Sequence, residues 1–391
     1  MVVADLFLVS AVRRRPSSKG FLLAAAFLTV CSILSAGASA SDGENIPTAQ
    51  SSANAGASES DRRTSARLYL TNQERREIGQ PYALRPWLSA TALVEAEGAA
   101  RLQSRRRGAS DRMQDTSLSA QIGFSAAMSP NIGAQLVLDH DIKSGGTRVD
   151  EAIMSMETGQ WEFEIGRAYT PLGVYMSNFA TGPLLEFAES RVDGATLSYA
   201  PNDQVDFKVM GYHGTVPSNN PSRSRMGWAA SIDARLGGQW QLGIGYQSDL
   251  ADAQDAPLRS DEGGTDRRVD AASAYAQWTR GNIDLSFEIV SALKSSRVLA
   301  PDRDKPVAWS IELAHFSHPE LSWAIRWEGS RELADAPHRR AGIALSWRPS
   351  RQASLTVEYL HGRFVRGLAT DDDDSSYTRE RQLGTKLSYA F

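Results

Sequence analysis

The chain has 391 residues, with 42 Lys and Arg against 46 Asp and Glu, a formal net charge of −4 and one cysteine. So mildly acidic a chain offers no basic surface to a phosphate backbone, which excludes a nucleic-acid partner. A lone Cys31 excludes a disulfide framework and a cysteine-based metal centre.

Arg13, Arg14, Arg15 and Lys19 precede the apolar run from Phe21 to Cys31, and small residues follow to Ala38-Ser39-Ala40. A basic region, a short apolar region and an A-x-A site predict a signal peptide over 1–40, cleaved after Ala40. The run is too short for the ~20 apolar residues that span a bilayer as a helix. Removing it takes away four basic residues and one acidic residue, so the formal charge falls from −4 to −7. Residues 41–86 are expected to be a flexible periplasmic extension, since their Ser-, Ala- and Gly-rich first half has little to bury. Within it, Thr71-Asn72-Gln73-Glu74 reads as a capping box and predicts a short helix over 72–78, stopped by Gly79 and Pro81. No apolar run after Ala40 is long enough for a transmembrane helix, so a membrane location requires a barrel.

From Trp87 the apolar period becomes two and stays there. Leu88, Ala90, Ala92 and Val94 alternate with Ser89, Thr91, Leu93 and Glu95, and later runs repeat the pattern. Short turns at Ser129-Pro130-Asn131, Thr158-Gly159-Gln160, Pro201-Asn202-Asp203 and four further sites alternate with longer polar loops. The runs predict sixteen strands, at 88–97, 116–127, 132–141, 149–157, 161–169, 194–200, 205–213, 226–236, 240–249, 269–279, 282–292, 307–316, 321–329, 339–348, 353–362 and 381–391. The fold class is therefore all-β, a transmembrane antiparallel barrel over 87–391 with both ends on the short-turn side. Trp161, Trp240, Trp278, Trp323 and Trp347 sit where strands meet short turns, as an interfacial girdle would. The last strand alternates Leu383, Thr385, Leu387, Tyr389 and Phe391, and a terminal aromatic is the kind of signal read by barrel-insertion machinery. Together these features predict a bacterial outer membrane as the location, with outer-membrane lipid and lipopolysaccharide as neighbours.

If the apolar faces meet lipid, the opposite faces line the lumen. They carry Glu162, Glu164, Lys208, Arg235, Arg326 and Glu328 among other charges of both signs, and a sixteen-stranded ring of this kind encloses water. One loop stands apart. Residues 170–190, after strand five, contain Tyr175, Phe179, Leu184 and Phe187, too apolar for an exposed loop. Folding into the lumen would bury them and narrow the channel, placing Arg167, Tyr169, Tyr175, Glu186, Glu189 and Arg191 at the constriction. The alternative is a loop packed against a second copy of the chain in a homo-oligomer.

The segment from Gly166 to Arg191 resembles the signature of the LbtU-family siderophore porins, related to the legiobactin receptor. Gly166, Pro171, Gly173, Pro183, Leu184, Glu186 and Glu189 match it, while Leu172, Gly182 and Ala188 depart from its Phe, Asp and Gly. The resemblance implies a porin-like barrel for passive uptake, with a ferric siderophore as the polar solute. Anion-selective porins with a Gly-x-x-Tyr-x-Pro stretch are a rival resemblance, and a structural or adhesive barrel without transport is the other class. The six histidines include no H-E-x-x-H pair, and G-x-S-x-G is absent. Neither an enzyme, nor a metal site, nor a cofactor is expected. With only about 46 residues between Ala40 and the barrel, no plug domain fits.

Overall fold

The computed structural model describes residues 82–105, 110–214, 226–253, 268–296, 303–350, 352–369 and 376–390. The expected signal peptide, the extension up to residue 81 with its 72–78 helix, and Phe391 lie outside the described residues. Among the described residues no helix is long and apolar enough to cross a membrane.

Seventeen strands form one antiparallel sheet. They are β1 (Tyr82–Arg85), β2 (Leu88–Arg105), β3 (Ser110–Ser129), β4 (Ile132–Asp141), β5 (Gly146–Thr158), β6 (Trp161–Tyr169), β7 (Arg191–Asn202), β8 (Val205–His213) and β9 (Met226–Leu236). The second half holds β10 (Trp240–Gln247), β11 (Ala271–Arg280), β12 (Ile283–Ala292), β13 (Val307–His318), β14 (Leu321–Arg331), β15 (Arg339–Trp347), β16 (Ala353–Arg363) and β17 (Tyr377–Ala390). From β2 onward each strand pairs with the next, and β17 returns to β2 with Leu387 opposite Ala96 and Tyr389 opposite Val94. The result is a closed barrel of sixteen strands, as the alternation predicts, and closure leaves no open edge. The additional strand β1 turns back across Pro86 and Trp87 to pair with the start of β2, Tyr82 opposite Ala90.

Two hairpin arms outrun the prediction. β2 and β3 continue to Arg105 and from Ser110, past the point where apolar alternation stops. There the rungs are polar, and Arg105 meets Asp111 at 2.7 Å while Arg101 reaches Asp115 at 3.9 Å. A ladder needs only backbone partners, so ion pairs can replace apolar ones there. At the seam, Lys386 holds Glu97 at 2.6 Å and Glu95 at 3.1 Å from inside the barrel.

Facing follows the period of two. Ile283, Leu285 and Phe287 are exposed on the outer surface of β12, while Asp284 and Glu288 between them are buried inside. On β17 the exposed row is Leu383, Leu387 and Tyr389, and the inward row holds Gln382, Gly384 and Lys386. Trp161, Trp240 and Trp347 are exposed at the short-turn rim, and Trp161 packs on Tyr199 with ring centroids 4.4 Å apart.

Candidate functional site: a loop seated inside the barrel

The wall turns inward between β6 and β7. Gly166 has φ +139°, and a Cβ there would collide with the Ala152 carbonyl of β5, so only glycine fits this position. Tyr169 and Arg191 face each other in register as the last rung, and the Thr170 N–H donates to the Ser190 carbonyl at 2.9 Å. A buried ion pair of Arg191 with Asp150 locks this base, with the Arg191 guanidinium 5.7 Å from the Tyr169 ring centre. The Tyr169 hydroxyl donates to the same Asp150 carboxylate at 3.3 Å.

Between these ends, residues 170–190 have one short 3-10 helix, Leu184–Ala188, and therefore few internal partners for their backbone N–H groups. Carboxylates from the opposite wall supply the partners. Glu288 on β12 accepts from the Val174 N–H at 2.8 Å, and Glu312 on β13 accepts from the Asn178 N–H at 2.6 Å and its Nδ2 at 2.7 Å. Glu358 on β16 accepts from the Thr181 N–H at 3.0 Å and its hydroxyl at 2.5 Å. Glu328 on β14 accepts from the Leu184 N–H at 2.8 Å. Hydrogen bonds to ionised acceptors are the stronger kind.

Arginines complete the attachment. Arg326 donates to the Ser177 hydroxyl at 2.8 Å and the Thr181 carbonyl at 3.0 Å, and its guanidinium sits 4.2 Å from the Phe179 ring centre. Glu328 takes Arg326 at 3.1 Å and Arg340 at 2.6 Å, which balances the buried charge. Apolar packing follows the same wall. Phe179 fills a recess floored by Ala314, Ala324 and Ala344, inward positions on three adjacent strands. Leu172, Leu185 and Phe187 pack on Leu250, Val290 and Ala308. At Gly245 of β10 a Cβ would strike the carbonyls of Leu172 and Pro171, so the loop lies directly on the backbone there.

The sequence-predicted residues fall into separate places. Arg167 lies on the row of Trp161, Phe163 and Ile165, facing outward, and pairs with Asp193 at 3.2 Å; its expected place in the constriction is corrected by strand alternation. Tyr169 and Arg191 are held together in the base lock on Asp150. Arg326 and Glu328 face inward but are fully buried under the loop, so they hold it rather than line open lumen. Tyr175, at φ 50°, is half-buried on the loop. Glu186 is exposed on the side of the 3-10 helix opposite the buried Leu185 and Phe187, and Glu189 caps that helix half-buried. Glu162, Glu164 and Lys208 face inward across the lumen from the loop's anchors, with Lys208 3.3 Å from Asp206, and Arg235 is exposed near the turn end of β9. Inner faces of β12 to β16 are largely buried, whereas those of β2 and β6 stay half-exposed, so the loop fills one side of the lumen.

The anchors Glu288, Glu312 and Glu358 read in the sequence only as lumen charges, and Arg340 was not singled out. Their signal was the recurrence of an inward glutamate near mid-strand on four of the five strands β12 to β16. Among the described residues no group of three His, Cys, Asp or Glu is placed to hold a metal ion.

Solved barrels share this architecture. The outer-membrane channel DcaP of Acinetobacter baumannii superposes with a TM-score of 0.54 at 14% identity, covering 78% of this chain and 97% of that one. Salmonella typhi OmpF, solved in complex with daunomycin, gives 0.55 at 13% identity over 78% and 98%. An anion-selective porin from Comamonas acidovorans gives 0.55 at 9% identity over 78% and 99%. At such identities the likeness shows the fold, a sixteen-stranded porin barrel. No family model matches the sequence, and no curated protein matches it.

Proposed function

We propose that this chain is a passive channel of a bacterial outer membrane, through which small polar solutes diffuse past a lumen narrowed by residues 170–190. The observation that carries this reading is the one-sided seating of the loop. Its backbone is tied to carboxylates of β12, β13, β14 and β16, while the charged inner faces of β2 and β6 remain half-exposed. The strand Trp161–Tyr169 leads into the loop through Gly166, so the narrowing is built on the rigid wall.

Glu186 is exposed on the loop and Glu189 half-buried beside it, and their carboxylate field favours cations in a constricted, weakly screened passage. The ferric siderophore suggested by the Gly166–Arg191 resemblance is the specific solute we propose; mixed charge along Glu162, Glu164 and Lys208 suits a polar solute. Export through the 1–40 signal peptide and insertion through the Phe391 strand complete the reading.

Planar bilayers test it. Discrete current steps from the purified barrel are expected, with a reversal potential showing cation preference. A correctly inserted but silent barrel would instead support the structural or adhesive class, and an anion-selective reversal potential would support the rival porin resemblance.

A further inference from the structure

Outer-surface charge is distributed unevenly around the barrel. On β14 to β17 and on β2 and β3, the outward rows contain no carboxylate among the described residues, yet they hold Arg331, Arg339, Arg363, Arg379, Arg381 and Arg112. All lie towards the loop end. Arg339 is the cross-strand partner of Arg363, and Arg363 is the partner of Arg379. Directly opposed like charges, with Cβ atoms ~5 Å apart, destabilise a sheet. Arg331 meets Glu332 at 3.4 Å, but Arg339, Arg363, Arg379 and Arg381 have no ion pair with any described residue. By contrast, Arg167 on the far side of the barrel has Asp193 beside it. Further towards mid-barrel, beyond His361 on β16, the same rows become apolar, with Ile343 52%, Tyr359 45% and Leu383 53% exposed.

We propose that Arg339, Arg363 and Arg379, with Arg381 beneath them, form a binding site for the phosphate groups of a phosphorylated glycolipid in the leaflet on the loop side. Guanidinium groups recognise phosphate bidentately, and one dianionic group placed between adjacent strands offsets the repulsion the sheet otherwise bears. A lipid fits both parts of the surface, its phosphates on the arginines and its acyl chains on Ile343, Tyr359 and Leu383. Free phosphate leaves the apolar part uncovered. A second copy of the chain, seated symmetrically on this face, would bring the same cations against themselves.

The proposal rests on the outer-membrane reading, and its test is separable from it. Full-length protein in detergent is titrated with bisphosphorylated lipid A, with the dephosphorylated lipid and with inorganic phosphate, and bound species are counted by native mass spectrometry. Bisphosphorylated lipid A should bind at least about tenfold more tightly than the dephosphorylated form, as loss of several charge-assisted bonds requires. R339Q/R363Q/R379Q should lose a similar factor, while K386Q, inside the barrel, should lose none. Heat-dependent gel mobility confirms that each variant is folded, and R339K/R363K/R379K should recover part of the binding. Equal binding of both lipids, or by the glutamine variant, overturns the site. So does inorganic phosphate competing at equal molar ratio, or a change of oligomeric state in place of lipid loss. If lipid binds only after the aspartates of 371–374 become asparagine, the chain's own acidic run is the counter-ion and the proposal fails. A barrel that conducts but binds no lipid overturns this inference alone.

Discussion

Asn178 and Glu312 are 134 residues apart, yet both amide donors of Asn178, the backbone N–H and Nδ2, converge on one Glu312 carboxylate oxygen at 2.6 and 2.7 Å. Both residues are buried. The contact joins the midpoint of an inward loop to the midpoint of the opposite wall. Removing the carboxylate with Glu312→Ala leaves two buried donors unmet, at about 1–3 kcal/mol each. Urea-induced unfolding in lipid vesicles should show a loss in that range, and single-channel records should become noisier as the loop loosens. Unchanged noise together with unchanged stability would mean that the loop is held elsewhere.

Arg326 connects the loop to the wall by three routes at once, through Ser177, Thr181 and the Phe179 ring, and it also neutralises Glu328. Arg326→Met should cost about 3–5 kcal/mol, the expected loss when one partner of a buried pair is removed. Arg340 still faces Glu328, which places the effect towards the lower end. Adding Glu328→Gln should cost less than the two single losses together, because both changes break the same ion pair. Two losses that simply add would show the pair to be uncoupled.

Most of the architecture was legible because one physical rule, alternation of an apolar outward row with a polar inward one, repeats sixteen times. Ile132–Asp141, Trp161–Tyr169, Val205–His213 and Met226–Leu236 fall where the pattern puts them. The rule fails where the apolar alternation stops. It misses the upper arms of β2 and β3, whose rungs are ion pairs, and the four residues of β1. The unusual loop was visible from Phe179 and Phe187, which needed burial. Its fastening was not, because an inward glutamate that holds a backbone N–H and one that faces water look identical in sequence. Arg167 was misplaced for a related reason. It reads as part of the loop motif, but it is still a strand residue and keeps the outward parity of Ile165.

Facing can be tested at adjacent positions. Leu285 is exposed on the outer row of β12, and Ser286 points inward. Leu285→Lys should lower stability by roughly 2–4 kcal/mol if it sits at mid-bilayer depth, because the ammonium is forced against acyl chains. Ser286→Lys should cost much less, with water and carboxylates within reach. Comparable losses in vesicle unfolding titrations would contradict the assigned parity of the strand.

Deleting Pro171–Phe187 tests whether the loop governs passage. It removes the residues that cover the inner faces of β12 to β16, so single-channel conductance should rise and ion selectivity should weaken. The deletion also leaves Glu288, Glu312, Glu328 and Glu358 without their loop donors, so the loss of selectivity should be smallest at low salt and grow as salt screens the wall. Glu186→Gln with Glu189→Gln separates field from size. The amide replaces each carboxylate at nearly the same volume, so conductance should stay near that of the parent while the reversal potential shifts towards anions. A deletion that leaves conductance unchanged would put the narrowest zone elsewhere along the barrel, and a glutamine pair that leaves the reversal potential unchanged would remove Glu186 and Glu189 from the path of the ions.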